Sequence, residues 1–179
     1  MALMPVSSWQ AISDIMAEVV RLNPQSVLDL GCGFGIYGAL CRNYLDAMHG
    51  RIREAQWVCK IHGCEVHEPY RNYCWNLYNA VGLGNFTQRE WKGWELVLMI
   101  DSLEHLEPEQ GREFLAKLVE HNKHVIVSVP NGLMPQGATF GNEYETHRTT
   151  FDGPEFDCYE HKVIHLGLCR VVSIPGKLK

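Results

Sequence analysis

The sequence predicts a three-layer α/β/α domain: a doubly wound, mostly parallel sheet with helices on both faces. Three observations predict it. Short apolar runs alternate with segments of helical period along the whole chain. The central runs, 95–100 and 124–129, are apolar throughout rather than at every second position, as strands buried on both faces require. The first run, 27–30, passes directly into glycines at 31, 33 and 35.

In chain order, Ser7 or Ser8 caps a first helix with Trp9, Ile12, Met16 and Val19 on one face and Pro24 beyond its end. The first strand covers 27–30, and the next helix carries Ile36, Ala39, Leu40 and Tyr44 on its inner stripe. Residues 50–59 read as an extension of that helix or as an irregular insertion. The second strand is 61–66. Pro69 then opens a helix with Tyr70, Tyr73, Cys74, Leu77 and Val81 inward, closed by Gly82 or Gly84. Residues 85–89 form a weak third strand, and 95–100 a strong fourth. Pro108 starts a helix bearing Phe114, Leu115, Leu118 and Val119, and the fifth strand, 124–129, stops at Pro130. Residues 131–150, rich in glycine and polar side chains, are long enough for a lid over a site. A last helix over 153–166 (Phe156, Tyr159, Val163, Leu166) leads to a terminal strand, 169–174.

The whole chain, 1–179, reads as one domain, with 1–24 as its N-terminal helix, since it contains neither a repeat nor a low-complexity linker. With 46% hydrophobic and 21% charged residues, the composition is that of a globular protein. The absence of a 20-residue apolar run argues against a membrane span, and the N-terminus lacks the features of a secretion signal, so a cytoplasmic location is expected. Seven cysteines without a Cys-x-x-Cys pair argue against disulfides and structural zinc, and most are expected to be buried as small apolar residues. A formal charge of −5 argues against a nucleic-acid partner. Arg51 and Arg53 form a local basic patch, read as a solvated connection.

Glycines at the end of a strand let the backbone pass close to a ligand and aim free helix N–H groups at it. Gly33, Gly35 and Gly38 match the Gly-x-Gly-x-x-Gly pattern of dinucleotide enzymes, which makes an NAD(P)-dependent oxidoreductase one alternative. The wider segment Asp29-Leu30-Gly31-Cys32-Gly33-Phe34-Gly35 resembles the first motif of class I S-adenosylmethionine-dependent methyltransferases, a Rossmann-like fold. The resemblance spans most of the chain, from Val27 to about Phe156. It implies that Asp29 and the backbone of Gly31 and Gly33 contact the methionine part of the cofactor, with Cys32 and Gly35 in the same loop. It also implies that Glu65, at the end of the second strand, accepts the ribose hydroxyls. The residues alone leave open a structural cap at Asp29 and a surface acid at Glu65. The chain departs from the family in three ways. The acid that meets adenine is missing, and Asn85 to Glu90 offers only Gln88 or Glu90 in its place. Glu65 lies further along than usual. The chain has one C-terminal strand where the family closes with an antiparallel seventh, so the outer edge is expected to be incomplete or covered by a partner.

Ligands of parallel sheets lie beyond the C-terminal strand ends, so residues following the fourth and fifth strands are the chemical candidates. Asp101-Ser102-Leu103-Glu104-His105 resembles the Asp-x-x-Glu-His segment of small-molecule and quinone-type O-methyltransferases. The motifs of DNA-base methylation are absent from it. His147, Phe151 and Glu155-Phe156 also recur in that group. The resemblance implies a small-molecule substrate methylated on a hydroxyl. In some relatives, including enzymes that methylate the terminal ribose of small RNAs, two acids and two histidines at these places hold a divalent metal. Asp101, Glu104, His105 and His147 offer such a set. Alternatively Asp101 and Glu104 line the cofactor pocket, while His105 caps a helix or acts with His147 as a base oriented by Asp101. Tyr37, Trp9 and Phe140 are candidate aromatic walls, with core packing the alternative for Trp9. His161 and His165 read as surface residues of the last helix. A non-catalytic adenosylmethionine-binding protein is the third reading.

Overall fold

The computed structural model describes residues 7–139 and 141–179, so Phe140 lies outside the described residues. A seven-stranded sheet forms the middle layer, in the order β3-β2-β1-β4-β5-β7-β6. Its strands are β1 (Ser26–Leu30), β2 (Lys60–Glu65), β3 (Ala80–Leu83), β4 (Leu96–Ile100), β5 (His124–Pro130), β6 (Lys162–Leu166) and β7 (Cys169–Pro175). Strands β1 to β5 pair in parallel, whereas β7 runs antiparallel between β5 and β6. Helices α1 (Ile12–Leu22) and α2 (Ile36–Leu45) pack on one face and α3 (Pro108–His121) on the other.

The two-residue period of the strands divides the core. Val27, Ile61, Leu96 and Leu98 join the cluster with Ile15, Val19, Tyr37, Cys41 and Leu45 of the first two helices. Leu28, Leu30, Val97, Met99, Val125 and Val127 join the cluster with Phe114, Leu115 and Leu118 of α3. The cysteines are free, and five of the seven are buried, as expected of small apolar residues.

Several expectations need correction. The segment opened by Pro69 forms two short 3₁₀ turns, Glu68–Tyr70 and Tyr73–Leu77, instead of a helix. Asn72 interrupts it, because its side chain accepts from the Cys74 N–H and donates to the carbonyls of Phe34 and Tyr70. Those local bonds outcompete the helical ladder. Consequently the third strand is Ala80–Leu83, and residues 86–88 form a turn. The last helix is absent: Pro154–Phe156 is a 3₁₀ turn, and the β-branched pair Val163-Ile164 sits in β6, paired with β7. The sheet therefore has its antiparallel seventh strand, and the predicted open outer edge is filled. His165 lies in β6 and meets Asp14 of α1 at 2.7 Å.

The inner stripe of α2 is turned by one residue from the predicted one, to Tyr37, Cys41 and Leu45. Trp9 is 76% exposed, and Ser8 makes no side-chain cap bond to the helix. Residues 50–59 are an irregular insertion held by buried charges. Asp46 accepts from Arg42, from Arg51 at 2.6 Å and from the Val58 N–H at 2.9 Å. Arg42 also reaches the carbonyls of Cys59 and Leu77 and stacks 3.8 Å over Trp57. The patch read around Arg51 is therefore structural, a partly buried ion pair. Among the described residues, no helix is long and apolar enough to cross a membrane.

Candidate active site

The order β3-β2-β1-β4-β5 reverses direction between β1 and β4, and a cleft of about 480 Å³ opens beyond the C-terminal ends of these strands. The glycine bend forms one wall. Gly31, Gly33 and Gly35 all have positive φ, at 72°, 50° and 88°. A Cβ on Gly31 would lie 2.8 Å from that of Ser102, so glycine is required where the bend packs against the residue following β4.

Glu65, at the end of β2, is buried and faces that bend. Its Oε2 accepts from the Gly33 N–H at 2.8 Å, and its Oε1 from Val66 and His67 at 2.9 and 2.8 Å. Burial pushes its pKa up, and the three backbone donors oppose that shift. The carboxylate thus fixes the bend while lining the cleft. Asp29 is also buried, and its Oδ2 accepts from the Tyr78 hydroxyl at 2.6 Å; Tyr78 in turn accepts from the Gly38 N–H at 3.0 Å. Desolvation pushes Asp29 up to about 7. Cys32 lies beneath the bend, its N–H on the Cys64 carbonyl, and burial keeps its thiol neutral.

Past β4, Asp101 adopts a left-handed backbone, φ 48°, uncommon outside glycine and found at functional sites. Its carboxylate accepts from Ser128 at 2.5 Å and from the Ser8 N–H at 3.2 Å. Glu104 is 1% exposed, and its Oε2 has no hydrogen-bond partner among the described residues. Burial and then the nearby Asp101 hold its pKa well above the carboxylate range. Glu104, His105 and His147 bring one ligand atom each to within 4.8 Å of one another, and the imidazole centroids are 5.0 Å apart.

Both rings are oriented by backbone carbonyls: Nδ1 of His105 meets Thr146 at 3.2 Å, and Nδ1 of His147 meets Met134 at 2.6 Å. A carbonyl only accepts, so Nδ1 carries a proton in both rings, and in the neutral tautomer Nε2 is the nitrogen with the lone pair. Burial lowers the His105 pKa and favours the neutral ring. Met134, Gln136, Glu145 and His147 reach the cleft because the chain is pinned to Glu104, whose carbonyl accepts from the N–H groups of Arg148 and Thr149. A buried carboxylate with an orphaned oxygen beside two oriented imidazoles fits a divalent cation. Asp101, included in the predicted ligand set, stands apart from this trio because Ser8 and Ser128 hold it.

Trp9 points to solvent and Tyr37 is buried with its hydroxyl unpartnered among the described residues, so of these two proposed aromatic walls Tyr37 lines the cleft and Trp9 does not. Gln88 and Glu90 do not line it, whereas Asn85 and Phe86 do. Both, with Ser8 and Tyr78, were missed in the sequence. Asn85 would have stood out as the polar residue just past β3 had that strand been assigned to 80–83.

This is the architecture of class I S-adenosylmethionine-dependent methyltransferases, and the chain has that fold. Neither a protein-family model nor a curated protein matches its sequence. Among solved structures, the methyltransferase domain of bacterial CtHen1 is 18% identical, with a TM-score of 0.61 over 93% of this chain and 97% of that one. The N-terminal domain of EvdMO1, crystallised in the presence of S-adenosylhomocysteine (SAH) and D-fucose, is 12% identical with a TM-score of 0.66, covering 96% and 85%. An rRNA methylase from Escherichia coli is 16% identical with a TM-score of 0.58, covering 94% and 64%.

Proposed function

We propose that this chain transfers the methyl group of S-adenosylmethionine to a hydroxyl group of a small molecule. One observation carries the reading: a Glu-His-His donor set opens into the same cleft as a glycine bend backed by a carboxylate one strand over. Gly31, Gly33 and Gly35 let the donor approach the backbone, with Cys32 beneath them and Asp29 behind. Glu65 Oε2, with a single backbone donor, has acceptor capacity left for ribose hydroxyls. Asn85 and Phe86, which line the cleft, would meet the base. The antiparallel β7 argues against the dinucleotide alternative, whose sheet order 3-2-1-4-5-6 has no such strand.

The sulfonium is an activated donor, so alignment of nucleophile and methyl group supplies much of the acceleration. Glu104, His105 and His147 would hold a divalent cation, which supplies a lowered pKa for a hydroxyl bound beside it. The carbonyls of Thr146 and Met134 keep the two Nε2 atoms turned to that point. Asp101, tied to Ser8 and Ser128, orients groups at the mouth of the cleft. EvdMO1, of the same fold, was crystallised with a hydroxylated sugar, in keeping with this acceptor class.

Calorimetric titration with S-adenosylmethionine, SAH and NAD tests the reading. Affinity for the first two without the third is expected. Absence of affinity for both sulfur compounds overturns it.

A further inference from the structure

A second cavity, of about 200 Å³, lies on the far side of His147. It shares Pro130, Met134 and His147 with the main cleft, so the two are neighbours with these residues as their common wall. Its other walls are Leu133, Pro135, Thr149 and Thr150, with Arg148. The bonds that orient His147 also shape this cavity. Met134 offers its carbonyl to the ring, the Gln136 carbonyl accepts from the His147 N–H at 3.0 Å, and Thr149 Oγ1 donates to the Leu106 carbonyl at 3.0 Å. The cavity and the imidazole are therefore one structural unit.

Charge limits what enters. Among the described residues, the main cleft is lined by five carboxyl groups (Asp29, Glu65, Asp101, Glu104, Glu145) and by no lysine or arginine. Arg148, the cation of the side cavity, already pairs with Glu107 at 3.2 Å. In the metal-free protein a phosphate or polyanion meets these carboxyl groups, with only Arg148, already paired on the surface, to offset them. Leu133 is 83% exposed and Met134 46%, an apolar surface beside the candidate reaction centre. A dry cavity of roughly 150 Å³ is enough to take benzene, so the space suits a single substituted ring.

We propose that this side cavity receives the body of the methyl acceptor, and that the acceptor is a compact, uncharged alcohol or phenol of about one ring. The inference rests on the methyltransferase reading and adds the substrate class. Its hydroxyl points past His147 toward the donor, and Leu133 and Met134 determine specificity.

Methionine-methyl ¹³C NMR tests it, with the Met134 signal assigned by Met134→Leu. Phenol and phenyl phosphate serve as probes, on the protein alone and on the protein saturated with SAH. Phenol is expected to move the Met134 methyl saturably, and phenyl phosphate to bind at least about tenfold more weakly. Leu133→Asn, at an exposed position where the fold does not depend on the side chain, is expected to weaken phenol about tenfold. A Met134 methyl unmoved by phenol in both states overturns the proposal, as does equal affinity for phenyl phosphate. SAH binding with a silent Met134 removes the acceptor subsite and leaves the donor reading intact. A shifted Met134 in protein without affinity for SAH removes the donor reading, and with it the cavity's role in methyl transfer.

Discussion

Asp29 is a carboxyl group whose protonation the fold itself disturbs. It is 2% exposed, and burial raises its pKa from 3.8 to about 7. The folded chain thus holds the proton more tightly than the unfolded one. Stability present at low pH is lost as the pH rises from about 3.8 toward 7, and the loss levels off above that. A difference of about 3 pH units corresponds to about 4 kcal/mol at full ionisation. At pH 5 the penalty is roughly 1.5 kcal/mol, and at pH 8 it approaches the full value. A carboxamide mimics the neutral acid and can still accept from Tyr78, so Asp29→Asn relieves the penalty without breaking the Gly38–Tyr78 bond.

Urea unfolding of both proteins between pH 5 and 8 reads the effect. The stability of Asp29→Asn relative to the parent is expected to grow by about 2–3 kcal/mol across that range. Groups other than Asp29 titrate in both proteins and largely cancel in the difference. Tyr78 lowers the Asp29 pKa by donating to it, so in a Tyr78→Phe background the gap keeps growing to a higher pH before it levels off. A stability gap that stays flat from pH 5 to 8 refutes the reasoning.

Glu104→Gln and His147→Ala are each expected to abolish Co²⁺ binding, followed by the visible absorption of the cobalt-loaded protein; unaltered spectra would exclude the trio as a cation site. Glu65→Gln keeps one acceptor oxygen where three N–H groups now converge. It should lower stability by about 1–3 kcal/mol and weaken SAH about tenfold or more, as read by denaturation and calorimetry. Arg42→Met leaves the fully buried Asp46 with Arg51 and the Val58 N–H, which is expected to destabilise by about 3–5 kcal/mol and lower Tm by about 10 °C. Unchanged melting would show that the 50–59 insertion does not depend on this pair.

The strands at the sheet centre were legible because burial on both faces leaves a continuous apolar run, as in Leu96–Ile100 and most of His124–Pro130. The edge strands were not. Ala80–Leu83 contains a glycine and is only partly buried, and Lys162–Leu166 places Val163 and Leu166 at a spacing that also fits a helix. Only pairing with β7 decides the second case. Periodicity likewise misplaced the α2 stripe, which is set by long-range contacts: Gly38 lies under the Tyr78 ring, where a Cβ would fall 1.9 Å from its Cζ. At the site, the glycine bend and the Glu-His pair were written locally and legible. The position of His147 was not, because it depends on backbone bonds from Arg148 and Thr149 to Glu104 more than 40 residues away.

Those long-range bonds bear on why the site carries so many buried acids. Asp29, Glu65 and Glu104 are each at most 4% exposed, and burial raises the pKa of all three, so ionising any of them costs the fold stability. The fold compensates two of them, with Tyr78 beside Asp29 and three backbone N–H groups around Glu65. Glu104 Oε2 receives no such partner among the described residues, and it is the acid that stands beside two imidazoles with free Nε2 atoms. Compensation is thus partial where the acid shapes the cradle and withheld where a ligand is expected to complete it. A carboxylate kept in that condition favours a positively charged guest over an empty site, because binding supplies the missing partner.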